Sequence, residues 1–161
     1  MDILTCGDAH PALHHLRLQS EAVWGFDGGD LKDRTQETLA KLHRELERWC
    51  TLWGLYRLSR EAKIAFSTQL GLALGKCDPK SGQILLNGVL LLPENEKLLF
   101  ETLCHEAAHI TAHLRYGPAI EEHGVEWQEY MEKAGFVPRP VIEVKEVFGL
   151  AVSARTDLPQ G

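Results

Sequence analysis

From residue 35 to about residue 53, Leu39, Leu42, Leu46, Trp49 and Trp53 recur at steps of three and four, with Lys, Arg and Glu between them. That spacing puts the apolar side chains on one face of a 3.6-residue helix and predicts a packing helix, with Trp49 and Trp53 as core anchors. Residues 62–67 then alternate, with Ile64 and Phe66 on one side. Residues 70–77 and 83–87 flank Asp78-Pro79-Lys80-Ser81-Gly82, a strong turn sequence. Period-two alternation around a turn predicts a small antiparallel sheet. Leu98, Leu99, Leu103, Ala107, Ile110 and Leu114 return to helical spacing, after a proline at 93 suited to a first helical turn and acids at 94 and 96 that favour an N-terminal dipole. Tyr116-Gly117-Pro118 stops this helix. Trp127, Tyr130, Met131 and Ala134 form the apolar face of a shorter helix that ends at Gly135, a residue fit for a left-handed cap. Beyond Pro138 and Pro140, residues 141–152 read as a β-like tail. The order of elements predicts an α+β fold in which a long helix packs on further helices and a small antiparallel sheet.

Composition narrows the class. A chain of 161 residues with 44% hydrophobic content suits one domain with a real core, here 1–161, with residues 1–34 an N-terminal segment of unassigned structure and 138–161 a tail. Cys6, Cys50, Cys77 and Cys104 are scattered without a Cys-x-x-Cys pair, against both a zinc ribbon and a disulfide framework, so reduced thiols are expected. Cys6, His10 and His14 have a metal-like spacing but no zinc scaffold around them and are assigned no function. The N-terminus lacks a basic region followed by a long apolar stretch, and no run approaches membrane-spanning length, so a cytoplasmic protein without membrane contact is expected.

The chemistry lies in the long helix. In His105-Glu106-Ala107-Ala108-His109 the two histidines are four apart and share one helical face, able to point at one ion. Glu106 sits about 100° round the helix, with its carboxylate near a water on that ion. A catalytic zinc takes three protein ligands and keeps one open position, so a third donor is required. His113 lies two turns beyond His105, about 12 Å along the axis, too far for bonds of about 2 Å from a straight helix. Glu121, Glu122, Glu126 and Glu129 could serve, but their spacing singles out none. His123 is preferred, because it follows the Gly117-Pro118 break, opens a new amphipathic run and precedes a glycine that permits close backbone approach. A metzincin would need glycine and histidine where Ala112 and Arg115 stand, which excludes that class.

The run His123-Gly124-Val125-Glu126-Trp127-Gln128-Glu129-Tyr130-Met131 resembles the His-Gly-x-Glu-(Trp/Phe)-x-x-x-Met segment that follows the zinc helix in SprT-like metalloproteases, the family of bacterial SprT and the animal Spartan proteases. Leu74-Gly75-Lys76-Cys77 followed by Gly82-Gln83-Ile84-Leu85-Leu86-Asn87 is similar to the hairpin these proteins carry before that helix. The resemblance covers roughly Trp49 to Val137. It implies a zincin-like domain in which His105, His109 and His123 bind one catalytic Zn2+ and Glu106 is the general base of peptide hydrolysis. Trp127 and Met131 match family positions, with packing that locks His123 as their expected physical role. Glu126 fits equally a carboxylate that orients a ligand histidine and a plain surface acid. Tyr116 and Tyr130 are candidates for stabilising the oxyanion.

Substrate is less determined. A protein or peptide substrate follows from the chemistry, and the sheet edge is a natural place for an extended peptide to add as a strand. The resemblance implies DNA-associated or crosslinked proteins as targets. The cysteine-rich zinc module or basic segment that many relatives carry is missing from this sequence. A formal net charge of -6 and a sequence pI ≈ 5.7 work against phosphate-backbone affinity, and Arg44, Arg48, Arg57 and Arg60 are diluted by Glu45, Glu47 and Glu61. The alternative function is a non-catalytic, zinc-stabilised protein-binding module. An intact Glu106 speaks against it, because a structural zinc site needs no base and closes its fourth position with protein.

Overall fold

The computed structural model describes residues 28–150. Cys6, His10 and His14 lie outside the described residues, as do most of the 1–34 segment and the end of the tail. Helix α1 spans Gly28–Trp53, starting ahead of the apolar spacing that predicts it. Once nucleated, a helix propagates through polar residues at little cost, and Thr35 Oγ1 donates to the Leu31 carbonyl at 2.7 Å along this polar stretch. Leu42, Leu46, Trp49 and Trp53 are all at most 2% exposed, so the tryptophans are core anchors and unavailable for base stacking. Trp53 Nε1 donates to the Tyr130 carbonyl at 2.9 Å, satisfying the polar end of a buried indole. A short helix, α2 (Tyr56–Glu61), follows. Apolar spacing does not mark it, since Leu58 is its one buried residue.

Three strands form one sheet: β1 (Lys63–Ser67), β2 (Gly75–Asp78) and β3 (Gln83–Asn87), in the order β1-β3-β2. β2 and β3 make the antiparallel hairpin expected around the 78–82 turn, closed by Gly82 N–H donating to the Asp78 carbonyl at 2.9 Å. β1 instead pairs with β3 in parallel, Lys63 opposite Gln83 and Ser67 opposite Asn87, so the sheet is mixed where an antiparallel one was expected. The reason is the connection: residues 68–74 cross the end of β3 to reach its far side, so β2 runs back antiparallel to β1 and β3 returns beside β1. Residues 70–74 belong to this crossing and not to a strand. Asn87 fixes them, its Nδ2 donating to the carbonyls of Gly71 and Ala73 at 3.1 and 3.0 Å while its Oδ1 accepts from Val89 N–H.

Two 3-10 turns, Gly88–Leu91 and Pro93–Asn95, lead into helix α3 (Glu96–Tyr116), so Pro93 sits in the turn before the long helix and not in its first α turn. α1, β2, β3 and helix α4 (Val125–Lys133) pack around α3. Every residue from Thr102 to Ala112 is consequently buried. α4 closes in a Schellman arrangement: Gly135 adopts φ 93°, and the N–H groups of Gly135 and Phe136 reach the carbonyls of Glu132 and Met131 at 2.9 and 3.0 Å. Phe136, delivered by that turn, meets Trp49 edge-on with ring centroids 5.6 Å apart.

The segment after Pro140 is not β-like as far as residue 150. It is an irregular strap with one 3-10 turn (Val144–Glu146), burying Ile142 and Val147. Its β-branched composition suggests a strand, but Pro138 and Pro140 cannot donate to a ladder. Side chains capture it instead. Arg139 pairs bidentately with Glu101 of α3 at 2.8 and 2.9 Å and with Glu146 at 2.8 Å. Asn95, 1% exposed, accepts from Phe148 N–H and donates to the Phe148 carbonyl, both at 2.8 Å. Among the described residues no helix is long and apolar enough to cross a membrane.

Candidate metal centre

His105 and His109 project from one face in the middle of α3, where burial is complete for the first and 7% short of complete for the second. His123 comes from the turn between α3 and α4 and is partly buried. His105 Nε2 lies 3.0 Å from His109 Nε2 and 3.3 Å from His123 Nε2. Nitrogens at about 2.0–2.1 Å around a tetrahedral ion stand about 3.3–3.4 Å apart, so these spacings are close to those of three ligands converging on one ion. Among the described residues this is the one group of three or more potential ligands brought together. His113, partly exposed further along α3, is not in it, nor are Glu121, Glu122, Glu126 or Glu129.

The rings are held electrically neutral. Burial pushes the His105 pKa down to about 2, with His109 and His123 adding repulsion that outweighs an opposing contribution from the Arg139 backbone. Burial, then His123, brings His109 down to about 3. His123 is lowered too, mainly by burial, with Glu122 opposing. Neutral imidazoles keep a lone pair for a metal, and three of them converging within 4.8 Å of one another form a group that could hold one ion.

Trp127 of α4 is fully buried and forms the wall of the cluster. Its indole stacks on His109 at 23° and 5.5 Å and meets His105 and His123 edge-on at 4.8 and 4.7 Å. Its Nε1 donates to the His105 carbonyl at 3.2 Å, tying α4 to α3 at the motif. The His123 turn is set by Gln128 Nε2 donating to the His123 carbonyl at 2.9 Å and by buried Gly124, where a Cβ would come within 3.0 Å of the Glu121 side chain. Glu126 is half-buried beside Gly124, and among the described residues it makes no hydrogen bond to a ring. Tyr130 packs edge-on against Trp53, and burial first, then the neighbouring Tyr116, raises its pKa.

Glu106, adjacent to His105, is fully buried and lies between the preceding turn of α3 and the first residue of β2. Sequence reasoning placed His105, Glu106, His109 and His123, and the structure brings the three histidines together. It missed the contact of Gly75 with Glu106 and the pairing of Arg139 with Glu101. Glu101 stands one turn before His105 on α3, a spacing that was visible, but its partner 38 positions away carried no local signal.

The SprT-like family model matches residues 35–146, from α1 through the 3-10 turn of the strap. Protein SprT of Escherichia coli (strain K12 / DH10B) is 37% identical over 78 residues, 48% of this chain and 46% of the relative. Protein SprT of Escherichia coli O1:K1 / APEC and of Escherichia fergusonii match to the same extent. The chain spans about half the length of the curated relatives it matches. No solved structure matches it. The matched segment holds the long helix, the mixed sheet and all three converging histidines of an α+β, zincin-like domain, and the chain belongs to the SprT-like family.

Proposed function

We propose that the chain is a zinc-dependent metallopeptidase, with His105, His109 and His123 as metal ligands and Glu106 as general base. The observation that carries this reading is the convergence of three imidazoles, two of them on the helix that also bears the buried Glu106. Zinc is the favoured ion because an all-imidazole set of three leaves a fourth position open, the arrangement of catalytic zinc sites. Bound there, it would supply a Lewis acid that polarises the scissile carbonyl and moves the pKa of water toward neutrality.

The chain's own groups do the rest. Glu106 takes a proton from the attacking water on a carboxylate oxygen and returns it to the departing amine nitrogen, so one residue serves as base and then as acid. Trp127 fixes the rings of the three histidines, and Arg139 straps the C-terminal segment to α3 one turn before His105. β2 lies at an edge of the sheet and touches Glu106 through Gly75. An extended peptide added along that edge would present its carbonyl at the histidines. Protein substrates in flexible or extended conformation are the class this geometry favours, and DNA-crosslinked proteins are one instance of it.

The test is Glu106→Gln. The variant keeps size and hydrogen-bonding capacity, so it is expected to fold, retain about one zinc per chain and lose cleavage of an unfolded protein by roughly 10² to 10⁴-fold. Cleavage that is chelator-sensitive in the wild type and undiminished in this variant would remove Glu106 from the mechanism. Full zinc with no cleavage by the wild type on any flexible substrate would favour the non-catalytic binding module.

A further inference from the structure

Gly75 opens β2 on the face turned to α3, where Cys77 follows it by strand alternation. A Cβ built on Gly75 would stand 2.8 Å from Thr102 Cγ2, 2.9 Å from Glu106 Cγ and 2.9 Å from Glu106 Oε1. Non-bonded heavy atoms with carbon are at their optimum near 3.5–4.0 Å, so each of these distances is repulsive. Neither neighbour can swing aside into solvent, because Thr102 and Glu106 are both 0% exposed. The backbone conformation at Gly75 does not call for glycine, since its φ lies outside the left-handed region. Space alone calls for it.

From this we infer that Gly75 is a positioning residue for Glu106: the absent side chain at the head of β2 is the volume that the glutamate side chain occupies, and it fixes where the carboxylate stands relative to the three histidines. The inference rests on the peptidase reading for its functional consequence and on packing for the contact itself. Thr102, one helical turn before Glu106, borders the same space at Gly75. The base is therefore gripped between its own helix and a strand, and its aim depends on how closely β2 seats on α3. Any residue larger than glycine at 75 forces either the strand outward or the carboxylate away from the water it must deprotonate. A displacement of about 1 Å in a catalytic group can cost on the order of 10²-fold in rate.

Two measurements on the zinc-loaded protein of residues 1–161 test this. The first is a thermal double-mutant cycle in a Thr102→Ser background, which removes the competing methyl clash from both arms. Gly75→Ala is expected to lower Tm by about 3–6 °C when Glu106 is present and by less than half of that when Glu106 is replaced by Ala. Equal losses in the two arms would show that Gly75 does not act on Glu106 and would overturn the inference. The second is kinetic, on an unfolded protein substrate. Gly75→Ala is expected to lower kcat by about 10²-fold with KM and zinc content unchanged. The double variant with Glu106→Gln is expected to be no slower than Glu106→Gln alone, whereas multiplying losses would assign Gly75 to another role and sink the inference. If Glu106→Gln itself matches the wild type, the peptidase mechanism is what fails, and the thermal cycle decides the positioning of Glu106 by itself.

Discussion

His123 reaches the cluster from a different element than His105 and His109, so its removal separates ligand number from helix integrity. His123→Ala is expected to bind zinc weakly or not at all at concentrations where the wild type holds about one per chain, while His113→Ala keeps its full complement. Elemental analysis after gel filtration distinguishes them, and the reverse result would mean that the third nitrogen comes from α3. The cysteines give a second expectation. Cys50 and Cys104 are both 0% exposed; burial pushes Cys50 up to about 12 and Cys104 well above its ordinary value. Only the thiolate reacts, so neither is expected to alkylate in the native protein at pH 8, and both should label fully in denaturant. Peptide mapping by mass spectrometry reads this directly. The thiols' burial was only partly visible in sequence. Cys50 follows Trp49 on the apolar face of α1, whereas the burial of Cys104 on α3 depends on neighbours that no local pattern reveals.

The site is held by the contact of α4 with α3 and by the strap on α3. Trp127→Ala removes a fully buried indole and its hydrogen bond to the His105 carbonyl. A stability loss of about 3–5 kcal/mol is expected in denaturant unfolding, with weaker zinc retention because the ring wall is lost. Arg139→Gln addresses the strap. Glu101 is 15% exposed and Arg139 35%, so the pair is half-screened by solvent and a loss of about 1 kcal/mol is expected, smaller than that of Trp127. A loss as large as the tryptophan's would mean that the strap carries core packing as well as the ion pair. The elements themselves were legible to different degrees. α1, α3 and α4 follow from apolar spacing, because a helix shows its buried stripe in consecutive residues. The direction of β1 does not, because alternation is the same in parallel and antiparallel strands and only the path of residues 68–74 distinguishes them.

Charge acts on the whole molecule. With a formal net charge of -6, binding to single- or double-stranded DNA at physiological salt is expected to be no tighter than ordinary non-specific affinity, on the order of 10⁻⁴ to 10⁻⁶ M. Fluorescence anisotropy across a salt series measures it, and nanomolar, steeply salt-dependent binding would restore DNA as a partner that the net charge disfavours. Sequence by itself determined the long helix, the pair of histidines four apart with Glu106 between them, and His123 as the next histidine after the Gly117-Pro118 break. These are local properties: helical periodicity fixes which residues share a face, and a glycine-proline break fixes where the chain turns. Tertiary structure alone decided that His123 Nε2 comes within 3.3 Å of His105 Nε2, that Trp127 walls the three rings, that β1 runs parallel to β3, and that Gly75 makes room for Glu106. Each of those facts joins residues on separate elements, and such distances are set by how the elements close on a shared core, which no window of neighbouring residues contains.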